Sequence, residues 1–158
     1  MKINDYTLED EKNSLEDFLS KEGIQYNHNY VRMRKGPKPF LFRLIAFSHQ
    51  LRIKLLNNYF LVFTENCLIL LTKDKEGKFS INNMDRIHYD NIFNFSFQRT
   101  YGYHCISFEY LNDEYYFYLN DKVSKRALDI VFDFNEINYS NKNLEFLEKT
   151  NFKGLLKK

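Results

Sequence analysis

The spacing of apolar residues switches between helical and strand periods along the chain, and each switch marks an element. From Thr7 to Lys21, the residues Leu8, Glu11, Leu15, Phe18 and Leu19 fall on one stripe at helical spacing. Thr7 followed by Asp10 is a capping-box-like start, and Gly23 supplies a stop. Gly36-Pro37-Lys38-Pro39 then breaks the chain. Beyond Pro39, the residues Phe40, Leu44, Phe47, Leu51 and Leu55 recur at helical spacing, so a second helix is expected there.

After Asn57-Asn58 the period becomes that of strands. Tyr59 to Thr64 and Cys67 to Thr72 are compact β-rich runs joined by Glu65-Asn66, a link of hairpin type. Lys73 to Lys78 reads as a charged loop, and Phe79 to Met84 as a short strand. Phe93, Phe95 and Phe97 alternate with Asn94, Ser96 and Gln98, which predicts a strand with the three rings on one face. His104, Ile106, Phe108 and Tyr110 share a face opposite Cys105, Ser107 and Glu109. Asn112-Asp113 is expected to turn the chain into Glu114 to Leu119, where Tyr115, Phe117 and Leu119 alternate with Tyr116 and Tyr118. Successive short strands with tight links predict an antiparallel meander of six strands. Lys122 to Asn135 fits either a helix or a seventh strand, and Asn141 to Lys149 fits a helix with Leu144 and Leu147 inward. The expected class is therefore α+β. Residues 1–56 form an N-terminal helical extension, and residues 57–158 a sheet domain packed with it as one globular unit.

Composition narrows the class further. At 158 residues with 18% aromatic content, the chain has material for one buried core, and a folded domain rather than global disorder is expected. A net charge of +2 is too small to imply nucleic acid by itself. The distribution is more telling than the sum. From Met1 to Glu22, seven acids oppose three lysines, a balance of −4. From Val31 to Leu56 there are seven bases, Arg32, Arg34, Lys35, Lys38, Arg43, Arg52 and Lys54, and no acid.

Candidate chemistry is sparse. Cys67 and Cys105 sit in apolar runs with no metal spacing, as buried thiols of a cytoplasmic protein do. His28, His49, His88 and His104 lie in separate elements without HxxxH or HxxE spacing, and His104 falls on a core face. Five scattered glycines build no phosphate-cradling loop or dinucleotide fingerprint. No catalytic set, metal or cofactor is expected, and no small-molecule substrate. The Met1-Lys2-Ile3-Asn4-Asp5 start leads into acids rather than an apolar signal, and the apolar runs are far shorter than the ~20 residues that span a bilayer.

The stretch from Asn58 to Leu119 resembles the bacterial pleckstrin-homology-like (PH-like) domains of Gram-positive bacteria and their phages. The hairpin Tyr59-Phe60-Leu61-Val62-Phe63-Thr64 with Cys67-Leu68-Ile69-Leu70-Leu71 looks like that family's opening pair. Ile87-His88-Tyr89-Asp90-Asn91-Ile92 is similar to its entry into the central strand. The closing aromatic strands followed by a helix complete the likeness. The chain differs from the family at Glu65, Asn66 and Cys67, and Lys122 to Tyr139 has no counterpart there. The resemblance implies a bent sheet or partial barrel of six or seven strands capped by a C-terminal helix, with a binding or assembly role.

Function is therefore expected to be non-enzymatic: recognition of a protein partner, or self-association. The basic segment from Arg32 to Lys54 is either a helix packed over one opening of the sheet, its bases solvated or paired to the acidic first helix, or an interaction face. An interaction face of that composition suits an acidic protein or anionic lipid. Single-stranded nucleic acid fits less well, because the strand rings alternate as core rings do. A small phage or mobile-element inhibitor of a host protein is a further alternative without specific support in the sequence.

Overall fold

The computed structural model describes residues 8–46, 48, 50–51, 56–100, 102–120 and 139–157. Their order is α1 (Leu8–Lys21), β1 (Tyr30–Gly36), α2 (Pro39–Ala46), β2 (Asn57–Phe63), β3 (Cys67–Lys73), β4 (Phe79–His88), β5 (Phe93–Thr100), β6 (Tyr103–Tyr110), β7 (Asp113–Asn120) and α3 (Tyr139–Lys149). Short 3-10 turns span Tyr89–Asn91 and Phe152–Lys157. The Lys122 to Asn135 segment lies outside the described residues.

The six predicted strands are present and join a seventh, in the order β4-β3-β2-β1-β7-β6-β5, with every neighbouring pair antiparallel. They do not run as the single meander expected: β4 and β5 are the two edges, so the chain crosses from one three-strand meander to another, and β1 joins the two. The seventh strand corrects the sequence reading. Tyr30–Gly36, placed within a helical extension, is a strand at the centre of the sheet, linking β2 to β7. Its YVRMRKG sequence alternates, but the bases among its apolar residues hide the period.

Both faces of the sheet are covered, which explains why β2 and β3 read as continuous apolar runs. The inner face gathers Val31, Met33, Leu61, Phe63, Leu68, Leu70, Ile106, Phe108, Phe117 and Leu119. On the outer face, Leu15 and Leu19 of α1 cover Tyr30, Phe60, Val62, Ile69 and Leu71. Farther along the same face, Phe42 and Ile45 of α2 cover Cys105 and Tyr118.

The sheet is strongly curled and not closed. Phe63 on β2 and Phe95 on β5 are four strands apart, about 19 Å in a flat sheet, yet their rings lie 6.2 Å apart. Inner-face rings thus draw the β5 edge back towards β2. Phe152 fills the space between them, at 5.4 Å from Phe63, 5.4 Å from Phe95 and 5.1 Å from Phe97. Leu144 and Leu147 of α3 join the same inner cluster, so the C-terminal segment plugs one mouth of the curl.

Two local details depart from expectation. Phe93 does not share a face with Phe95 and Phe97: a register shift between Phe93 and Ser96, with Asn94 at φ 51°, turns its ring outward. The β6–β7 turn is made by Leu111-Asn112, one residue earlier than expected, with Tyr110 opposite Asp113. Among the described residues no helix is long and apolar enough to cross a membrane.

Candidate interaction surface

The helix α2 is built from Pro39-Phe40-Leu41-Phe42-Arg43-Leu44-Ile45-Ala46, which is apolar almost all round. Pro39 suits the first helical turn, because its missing N–H has no intrahelical partner there anyway. A helix this apolar can seat either side, so contacts decide which face goes in. Phe42 stacks flat on the Tyr118 ring at 3.6 Å between centroids, and Tyr103 meets its edge at 4.8 Å. Tyr118 also donates from its hydroxyl to the Pro37 carbonyl at 2.5 Å, fixing the strand-to-helix corner. Burial raises the Tyr118 pKa, so the donor stays protonated through the physiological range. Gly36 leaves the room this packing needs: a Cβ there would stand 2.8 Å from the Leu56 side chain and 3.3 Å from the Tyr118 ring.

Seating Phe42 and Ile45 turns the predicted stripe outward. Phe40 is 65% exposed, Leu44 54% and Leu51 42%, with Leu41 beside them at 49%. Phe47 and Leu55, the other members of the stripe, lie outside the described residues. The helical period is thus correct, and the stripe it marks faces outward.

The seven bases do not form one face. Strand alternation separates those on β1. Arg32 points to the outer face and is buried beneath α1, its Nε 3.1 Å from Glu11 Oε1. Lys73 Nζ approaches the other oxygen of that carboxylate at 2.8 Å. Arg32 is therefore a structural ion-pair member held by the acidic first helix. Arg34 is half-buried on the same outer side of β1. Lys35 turns to the inner face, its Nζ 4.5 Å from the centre of the Tyr115 ring and 5.7 Å from that of Tyr59. Lys38 is exposed and pairs with Glu114 at 3.0 Å, which raises its pKa. Arg43 is exposed on α2. Arg52 and Lys54 lie outside the described residues.

Sequence reasoning missed the second half of this surface. The Lys38–Glu114 pair ties the start of α2 to the β6–β7 hairpin. Glu114 lies opposite Glu109 on β6, and Glu109 opposite Phe93 on β5. Phe93 is 61% exposed and Leu111, at the hairpin tip, 74%. The signal available in the sequence was Leu111 itself, an apolar residue in a turn where glycine or asparagine is usual.

The described histidines sit in separate surroundings. His28 faces Asn143 Oδ1 at 3.0 Å, His88 lies 3.3 Å from Asp90, and His104 stacks on Phe97. Among the described residues no three His, Cys, Asp or Glu side chains come together as a metal site. Burial lifts the Cys105 thiol to about 12, which keeps it protonated and unreactive. An open cleft of about 690 Å³, walled by Glu16, Tyr26, Tyr30, Tyr139 and Glu145, lies between α1 and α3. No family model matches the sequence, and no curated protein matches it either.

Proposed function

We propose that this chain is a non-enzymatic, PH-like binding module of bacterial or phage type that recognises a protein partner through the outward face of α2. One observation carries the reading: Phe40, Leu41 and Leu44 are exposed on a helix whose opposite face is anchored to the sheet. An apolar patch on a fixed support is a feature of interaction sites rather than of ordinary surface. Charge supports the choice of occupant. The segment from Val31 to Leu56 holds no acid, so the partner that fits is a protein with an apolar groove and an acidic rim. The curled seven-stranded sheet and the C-terminal helix packed against its inner cluster support the PH-like part of this reading.

Magnitudes favour a protein over an anionic bilayer. Three half-exposed side chains contribute roughly 1 kcal/mol each on burial, less than one myristoyl chain, which alone holds a protein on a membrane only marginally. Surface lipid would add about 1 kcal/mol per base near the membrane, but Arg32 and Lys38 already face carboxylates. A packed groove gains shape complementarity in addition.

The test uses a tagged chain isolated from its host with its stoichiometric partner. Leu44→Ser and Phe40→Ser are expected to weaken that complex about tenfold or more while leaving the melting temperature within about 2 °C, as exposed positions do. An undiminished complex would refute the reading. Co-sedimentation with vesicles of anionic phospholipid that Leu44→Ser abolishes would replace it with the membrane alternative.

A further inference from the structure

We propose that the cleft between α1 and α3 binds an alkylammonium group, carried by a free organic amine or by a basic side chain of a peptide. The inference is independent of the α2 docking face, with which the cleft shares no residue. At about 690 Å³ the cleft has the size of a small-ligand site, roughly 300–1,000 Å³. Three tyrosine rings stand in it. Tyr30 is the most deeply buried, at 2% exposure. Tyr26 lies 6.4 Å from it with the ring planes inclined by 70°, and Tyr139 lies 5.7 Å from it, inclined by 51°. Rings set at such angles around one corner offer their electron-rich faces to a cation and their apolar surface to its alkyl groups.

The corner is held in place by the fold. Tyr30 donates its hydroxyl to Glu16 Oε1, and Tyr139 donates to Glu11 Oε1 at 3.3 Å. The loop that carries Tyr26 is tied by Asn29, whose Oδ1 accepts from the Asn27 N–H at 2.8 Å. Asn29 Nδ2 donates to the carbonyls of Gln25 at 3.3 Å and Phe63 at 2.9 Å. A site fixed beforehand loses little freedom when it binds. Charge then selects the sign of the ligand. Glu9, Glu16 and Glu145 line the cleft against Lys12 and Lys142. Lys12 is engaged by Glu9 at 3.5 Å, and Lys142 is exposed to solvent. Among the described residues, Glu16 Oε2 and the Glu145 carboxylate have no hydrogen bond or ion pair. Carboxylates beside tyrosine faces attract an ammonium group and repel a phosphate. Among the described residues the acids do not converge as metal ligands, so an organic cation fits better than a hydrated metal ion.

Amide chemical-shift titration of the nitrogen-15-labelled chain tests this at constant ionic strength. Two probes are used: spermidine, and an end-capped glycine peptide with a single central lysine. At least one is expected to shift the amides of residues 26–28 and 141–145 saturably, and the probe that does so identifies the source of the ammonium group. Inorganic phosphate is expected to leave those amides in place. Tyr26→Leu removes a ring face while keeping apolar bulk, and Glu16→Gln removes a charge while keeping an acceptor for Tyr30. Each is expected to weaken binding about tenfold. Tyr26→Phe keeps the ring and is expected to bind within about twofold of the unaltered chain. Circular dichroism melting separates lost binding from lost folding. Should Tyr26→Leu unfold, the contrast between Tyr26→Phe and Glu16→Gln decides. Saturation by neither probe, binding of phosphate in the cleft, or an affinity that Glu16→Gln or a folded Tyr26→Leu leaves unchanged overturns the inference.

Discussion

Leu111 is the residue whose placement is hardest to explain by stability. It occupies the left-handed region at φ 51°, next to Asn112 at φ 66°, in a turn that asparagine and glycine fill without strain. A leucine there costs about 1 kcal/mol, and its side chain gains nothing from the fold because it stands in solvent. Strain held without a structural return points to use at a surface. Leu111→Gly is therefore expected to raise the melting temperature by roughly 2–4 °C, read by calorimetry; an unchanged or lowered value would show that the leucine side chain contributes to the fold. Phe93 shows the same logic in a strand, where the bulge at Asn94 turns a ring out that alternation assigned inward. Cys105 shows the reverse, a nucleophile disarmed by burial that native-state thiol reagents are expected to leave unlabelled.

At the scale of elements, α1 is held to the sheet by apolar packing and by one buried carboxylate. Glu11 faces Arg32 on β1 and Lys73 on β3, and Tyr139 at the start of α3 donates to it at 3.3 Å. Three elements therefore converge on a single acid of a fourth. Glu11→Gln leaves the buried Arg32 guanidinium without its counter-charge, whereas Lys73, partly exposed, can swing towards water. The expected loss is about 3 kcal/mol, or roughly 6–12 °C in melting temperature. Replacing Glu11 and Arg32 together by leucine and methionine is expected to recover most of it, because a well-packed apolar pair avoids the desolvation of both charges. Full loss in the double variant would show that the carboxylate's other contacts carry the stability. Glu11 was visible as the polar member of an apolar helical stripe, and Arg32 as one of a basic run; only the meeting of α1 with β1 made them a pair.

For the molecule as a whole, burial of hydroxyl groups sets an alkaline limit. Tyr30, Tyr89 and Tyr118 have pKa values raised above their ordinary 10.0, chiefly by desolvation, and Cys105 is raised from 9.0 to about 12. A raised value means that the folded chain keeps protons which the unfolded chain releases. The stabilisation is complete below the unfolded values and declines as pH rises through them. Unfolding is therefore expected to set in above about pH 10 and to be cooperative, with tyrosinate absorbance and loss of far-ultraviolet dichroism rising together. Tyrosines ionising one by one in a chain that stays folded would contradict it. The curl of the sheet belongs to this scale as well, since it brings rings from β2, β5 and the C-terminal turn into one inner cluster.

The period of apolar residues by itself determined α1, α2, the strands β2 to β7 and the C-terminal helix, because hydrogen-bond geometry ties side-chain direction to position within each element; it did not reveal that β4 and β5 part to opposite edges of the sheet. The tertiary structure decided what period leaves open. β1 was hidden because charged residues on a central strand have partners only once a helix and a second strand are beside it, as Glu11 and the Tyr59 and Tyr115 rings are beside Arg32 and Lys35. The inward face of α2 was undetermined because nearly every side of that helix is apolar, and stacking of Phe42 on Tyr118 chose it. The proposed interaction surface joins α2 to residues some seventy positions later, through strand pairing that no local pattern encodes.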